Sequence, residues 1–376
     1  MRESINKICP RSLKAITVSA ASVITAAAFL ASAAFTPIPA LADEAGDDGR
    51  IQIVTTVFPE YDWVMNVLGD EADRADVTLL LDDGTDMHSY QPSAEDILTI
   101  ATSDVFVYVG GESDEWVDDV LKEADNGDMA VVDLMDILGD DAMEEELLEG
   151  MQEEAEDGTA KAAEDMSDTD GNSSGDAAEA SGDTAETEAD TADGAAEVEY
   201  DEHVWLSLRN SEVFVQAIAE ALAEKDPDAA DTYMENASTY IDQLAALDEK
   251  YQAAADASEK KTLLFADRYP FAYMAEDYGL TCYAAFAGCS AETEASFETI
   301  IFLANKVDEL GIRSILVLEN SDQKIADVVI QTTKKGDQQV LVMDSMQSKT
   351  REDIEDGVTY LNVMESNLKT LQEALV

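Results

Sequence analysis

The chain has 376 residues, enough for two domains of ordinary size, and a formal net charge of −61. Repulsion from phosphates at that charge excludes nucleic acid as a partner. The same charge favours solubility and a diffuse attraction for cations, and says nothing about fold.

Arg2, Lys7, Arg11 and Lys14 precede an apolar, alanine-rich run from about Ala15 to Ala34, then Ala40-Leu41-Ala42. A basic start, an apolar stretch and a small-x-small site make a secretory signal peptide, so residues 1–42 are set aside from the fold. A retained membrane anchor is the other reading, because the run is nearly long enough to span. No cysteine directly follows it, so a lipid anchor of the usual kind is not expected. Removal takes away four basic residues and one acidic residue, so −61 becomes −64. Cys282 and Cys289 remain, and outside the cytoplasm a disulfide between them is plausible, with two buried thiols as the alternative.

From residue 52 to about 136, strand and helix patterns alternate. Ile51–Val57, Val77–Leu81, Val105–Val109 and Ala130–Leu134 read as strands. Glu60–Leu68, Glu95–Ala101 and a segment around Trp116–Leu121 read as helices. Alternation of this kind predicts a parallel sheet covered on both faces. From Glu144 to Glu202 there are 23 acidic residues and one basic residue, Lys161. Too little apolar surface remains there for a core, so a disordered acidic insertion is expected.

Apolar periodicity returns with helices over Ser211–Lys225 and Asp228–Ala257, the second long enough to bridge two lobes. Strands at Thr262–Ala266, Cys282–Phe286, Ser314–Leu318 and Val340–Met343 then alternate with helices at Phe271–Tyr278, Glu294–Leu310, Lys324–Lys335 and Arg351–Leu375. The predicted fold is α/β, with two doubly wound, Rossmann-like lobes joined by a long rigid helix. The expected divisions are an N-terminal lobe over 51–210 containing the 144–202 loop, connecting helices over 211–258, and a C-terminal lobe over 259–376. No glycine-rich phosphate loop, Cys-x-x-Cys pair or nucleophile elbow is present.

Beyond the signal segment the chain has two histidines, His88 and His203, each beside an acidic residue and near an aromatic one. His88 follows a predicted strand, where ligands of doubly wound sheets bind, and neutral imidazole is the commonest protein metal ligand. Composition and spacing alone leave two isolated histidines equally possible.

The segment HSYQPSAEDILTIATSDVFVYVGGESDEW resembles the first metal motif of the zinc- and manganese-type (cluster A-I) solute-binding proteins of ABC importers. DEHVWLS resembles their second motif, with Glu202 where a proline is usual. The long helix resembles the spine joining their lobes, and Met343-Asp344-Ser345 resembles their last motif. That resemblance implies two lobes that clasp a divalent metal, with His88, His203 and Asp344 as ligands. The third ligand of the family falls on Arg268 here, counting back from Tyr278-Gly279-Leu280. Arginine stays protonated and cannot ligate a metal. Asp267 could serve instead, or water could complete a three-ligand site, and Arg268 could pair with Glu319.

The implied function is extracytoplasmic capture of zinc, as cargo and not for chemistry, and its delivery to an ABC importer permease by an exported, monomeric protein in the periplasm or at the cell surface. Manganese or iron as the cargo, a metal-binding surface adhesin and a zinc hydrolase are the alternatives; no His-Glu-x-x-His spacing supports the last.

Overall fold

The computed structural model describes residues 49–124, 126–152, 199–290 and 294–376. The expected signal segment (1–42) and most of the expected acidic insertion (153–198) lie outside the described residues. The first lobe contains β1 (Ile51–Thr55), α1 (Phe58–Leu68), β2 (Ala75–Leu79), α2 (Ala94–Ala101), β3 (Val105–Tyr108), α3 (Glu115–Glu123), β4 (Ala130–Asp133) and α4 (Leu134–Leu138). Two helices follow, α5 (Leu208–Lys225) and α6 (Ala230–Ala257). The second lobe contains β5 (Thr262–Tyr269), α7 (Ala272–Tyr278), β6 (Thr281–Ala287), α8 (Phe297–Leu310), β7 (Ser314–Val317), α9 (Lys324–Thr332), β8 (Gln339–Val342), α10 (Arg351–Glu355) and α11 (Tyr360–Ala374).

Each lobe is built on a four-stranded parallel sheet, ordered β2-β1-β3-β4 in the first and β6-β5-β7-β8 in the second. In both orders the chain leaves the founding strand first to one side and then to the other. Ligands of open α/β sheets bind outside the carboxyl ends of the strands at this reversal.

Period-two alternation sends neighbouring residues to opposite faces. Val105, Val107 and Val109 enter the large shared core, while Phe106 and Tyr108 pack under α2 and α3. Likewise Leu263 and Phe265 face the shared core, and Leu264 and Ala266 pack under α8 and α9. Both sheets are therefore covered on both faces, which explains their near-continuous apolar strands.

The 28 residues of α6 span about 42 Å. Tyr233, Ala237, Tyr240, Leu244, Leu247 and Tyr251 form its buried stripe. That stripe lies in the same core cluster as residues of α1, α5 and α11, so one continuous core runs through both lobes.

Two expectations need correction. The predicted helix over 351–375 is two helices, because Thr350 and Thr359 each form a capping box and start a separate one. The acidic insertion is ordered at its start. Glu145 N donates to Glu199 O at 2.9 Å, Leu148 and Met151 pack against the core, and Gln152 N donates to Ala285 O of β6 at 3.0 Å. Two apolar side chains and these two backbone hydrogen bonds hold Glu144–Gln152 in place despite the charge.

Candidate metal site

After β2 the chain turns at Asp86, whose Oδ1 accepts from His88 N at 3.1 Å. Met87, 4% exposed, anchors that turn in the core. His203 precedes a 3-10 turn, Val204–Leu206, that is fully buried, and is itself 0% exposed. Its ring passes so close to the backbone of Gly288 that a Cβ there would lie 2.9 Å from His203 Cε1. These contacts bring the two imidazoles together, with Nε2 3.1 Å from Nε2.

Each ring is oriented from its far side by a carboxylate. Asp201 Oδ1 lies 2.8 Å from His203 Nδ1 and also accepts from His203 N at 2.8 Å. His88 Nδ1 lies 2.9 Å from Ser113 Oγ and 3.3 Å from Glu202 Oε2. Ser113 donates to Glu202 through both N (2.7 Å) and Oγ (2.5 Å). Burial pushes the Glu202 carboxyl up, but hydrogen bonds from His88 and Ser113 outweigh it and hold the group below its usual range. A carboxylate oxygen beside each Nδ1 favours the tautomer with the proton on that nitrogen, which turns the lone pairs of the two Nε2 atoms toward one another.

Two facing lone pairs repel unless a cation lies between them. Two nitrogens of a tetrahedral zinc, each about 2.0–2.1 Å from the metal, stand roughly 3.3 Å apart. The observed separation matches that edge.

The second lobe closes over the pair. Gln347, after β8, is 2% exposed, and its Nε2 contacts His203 Nε2 and lies 3.4 Å from His88 Nε2. Its Oε1 is buried and accepts no hydrogen bond. Cys289, after β6, completes a cluster in which one donor atom from each of His88, His203 and Cys289 lies within 4.8 Å of the others. Burial, then the charges of Glu145, Asp201 and Glu202, push the Cys289 thiol well up.

The other predicted ligands go elsewhere. Asp344 Oδ2 is bound by Lys349 and its Oδ1 accepts from Met346 N at 2.9 Å. Asp267 turns back on its own lobe, accepting from Arg268 N at 2.9 Å and Leu318 N at 3.2 Å. Neither belongs to the cluster around the imidazoles. Arg268 does not pair with Glu319 but with Asp86, at 2.6 Å across the lobes. Glu319 already accepts from Ser345 N at 2.8 Å and Ser345 Oγ at 2.9 Å. Burial would raise the Asp86 carboxyl, but the Arg268 guanidinium holds it below its usual range. Asp267, Arg268 and Glu319 instead line a cavity of ≈ 450 Å³ that reaches Gln347.

The expected disulfide is absent: Cys282 and Cys289 are both free thiols. Cys282 is the second residue of β6, and the five strand residues after it carry the chain about 16 Å away before Cys289. A bridge needs Cα atoms within about 7 Å.

Sequence reasoning missed Cys289 and Gln347 as neighbours of the site. Both follow strand ends of the second lobe, as His88 does in the first, and that shared position was the available signal.

Two parallel-sheet lobes meeting at a pair of imidazoles, each oriented by a carboxylate, define a bilobal solute-binding protein. Residues 53–374 match the profile of the family described as ZnuA, the zinc-uptake complex component A, periplasmic. The chain belongs to that family.

Among its relatives, the zinc-binding lipoprotein AdcA of Streptococcus pneumoniae serotype 4 is 31% identical over 326 residues, covering 87% of this chain and 56% of AdcA. The high-affinity zinc uptake system protein ZnuA of Bacillus subtilis is 27% identical over 335 residues, covering 89% of this chain and 90% of the relative. The crystal structure of the Zn(II)-bound ZnuA-like domain of S. pneumoniae AdcA matches with a TM-score of 0.62 and 28% identity, over 87% of this chain and 99% of that one. The chain spans 56% of the length of its AdcA relatives. No helix among the described residues is long and apolar enough to cross a membrane.

Proposed function

We propose that this protein captures zinc outside the cytoplasm, in the cleft where the two lobes meet, and delivers it to the permease of an ABC importer. One observation carries the reading: two imidazole Nε2 atoms, each on a ring with a carboxylate behind it, face each other at 3.1 Å. Such a pair is pre-organised for a cation. Family membership and the zinc-binding names of the relatives support the choice of ion.

Capture needs no chemistry on the metal. The first lobe supplies both imidazoles, and the second closes Gln347 and Cys289 over them. Release into a permease then requires the second lobe to withdraw. The shared core around α6 opposes a wide hinge, so the movement is small.

Competitive titration of the signal-free chain tests the proposal. One zinc is expected per chain, with binding lost in both His88→Ala and His203→Ala. Tight binding that survives either substitution would refute the cleft as the site.

A further inference from the structure

We infer that the zinc ligands of the second lobe are the Cys289 thiolate and the Gln347 side-chain carbonyl, and that Cys289 sets the preference for zinc over manganese. The inference rests on the capture reading and names how the same cleft chooses its ion.

Four observations lead here. First, the imidazoles supply one edge of a tetrahedron and leave two positions open toward the second lobe. Second, among the described histidines, cysteines and carboxylates, Cys289 is the one whose donor atom joins both imidazoles within 4.8 Å. A tetrahedral zinc with bonds of about 2.3 Å to sulfur and 2.0–2.1 Å to nitrogen needs S···N of roughly 3.6 Å. A closing shift of about 1 Å achieves that, within what a small movement of the second lobe supplies. Third, Gln347 Oε1 is a buried acceptor with no hydrogen bond, in a side chain 98% buried against both rings. A half-turn of the amide exchanges its oxygen for the nitrogen now against His203, and puts a neutral oxygen ligand on the metal. Fourth, the carboxylates that could compete are occupied: Asp344 by Lys349, Asp267 by two backbone amides, Asp201 and Glu202 by the imidazoles.

The resulting set is two imidazoles, one thiolate and one amide oxygen. Binding exchanges the S–H bond of Cys289 for an S–Zn bond, and the proton leaves to solvent. One anionic ligand on a divalent ion leaves a local charge of +1, opposed by the carboxylates of Asp201 and Glu202 behind the rings. A thiolate favours zinc, whereas oxygen-rich sets suit manganese. A carboxylate in the same place would narrow that preference.

The test uses the signal-free chain, Cys289→Ser, Cys289→Asp and Gln347→Ala, with zinc and manganese titrations and cobalt(II) absorption spectra. Thermal melts of the metal-free proteins establish that each variant folds. Cys289→Ser is expected to weaken zinc at least about 100-fold, beyond what changes behind a metal's direct ligands usually cost. Manganese should be nearly unaffected. The cobalt form of the parent should show a thiolate-to-metal charge-transfer band that disappears in Cys289→Ser and Cys289→Asp. Cys289→Asp should recover zinc binding in part and narrow the ratio of zinc to manganese affinity. Gln347→Ala should weaken zinc and keep the band. A parent without that band, or a folded Cys289→Ser that binds zinc as the parent does, would overturn the assignment. If His88→Ala still abolished binding in that case, the capture reading would stand; if the parent bound no zinc, both would fall.

Discussion

Asp62 shows how much a single buried carboxylate changes the stability of this chain. Its Oδ2 accepts from the Tyr240 hydroxyl at 3.1 Å, Tyr360 N at 3.2 Å and Asn66 Nδ2 at 3.1 Å. Those bonds lower its pKa, but burial outweighs them and raises it from 3.8 to about 6. The folded state therefore holds this proton more tightly than the unfolded one. Stability from this group is full below pH ~4 and is lost as pH rises through about 6. Asp62→Asn keeps an acceptor for the tyrosines without the charge. It should stabilise the protein at pH 7 by about 1–3 kcal/mol, and the gain should vanish near pH 3.5. Urea unfolding of both proteins at the two pH values measures this; an equal gain at both would assign the effect to packing.

At the level of elements, the site depends on how β3 ends. Gly111 has φ +86° and ψ −166°, a region that residues with a Cβ scarcely enter. A Cβ there would also lie within 2.9 Å of Glu202 Cδ. Strand end, Ser113, Glu202 and His88 are thus one connected unit. Gly111→Ala should cost about 1–3 kcal/mol of stability from backbone strain. It should also weaken zinc about 10–100-fold by moving the carboxylate behind His88. Calorimetry and zinc titration of the same variant test both effects. Loss of stability with unchanged affinity would show that Glu202 does not orient the ring.

Over the whole molecule, the lobes are joined by several specific contacts besides those at the imidazoles. Trp205 Nε1 donates to Ser345 O at 2.8 Å, the Tyr273 hydroxyl donates to Asp201 O at 2.9 Å, and Arg268 pairs with Asp86. Arg351 pairs with Asp82 beside the bridge between Asp83 and Thr350. Residues 153–198, which lie outside the described residues, hold sixteen acidic residues and one lysine. Replacing them with a short Gly/Ser linker should leave one zinc per chain, with affinity within about threefold at 0.15 M salt, where fields fade over about 8 Å. At low salt the shortened chain should bind zinc more slowly, because the diffuse attraction for cations is reduced. Stopped-flow association at two ionic strengths separates the effects. Lost stoichiometry would place part of the site in the acidic segment.

The sequence by itself determined the two parallel-sheet lobes, because runs such as VFVYV and alternating strand and helix have few other solutions. It also determined the long helix, whose buried tyrosines and leucines recur at steps of three and four. It singled out His88 and His203, because a sequence with only two histidines makes each conspicuous. The tertiary structure decided what sits opposite them. Asp267 and Asp344 have the right chemistry and stand near strand ends, but each is satisfied by a nearer partner, backbone amides for one and Lys349 for the other. Cys289 and Gln347 lie 86 and 144 residues beyond His203 in the chain, and only the closure of one sheet's strand ends over the other's brings them to it. Local pattern fixes elements because hydrogen bonding and side-chain period act over a few residues. Which donors share a metal depends on distances between lobes, and those are set by the packing of the common core.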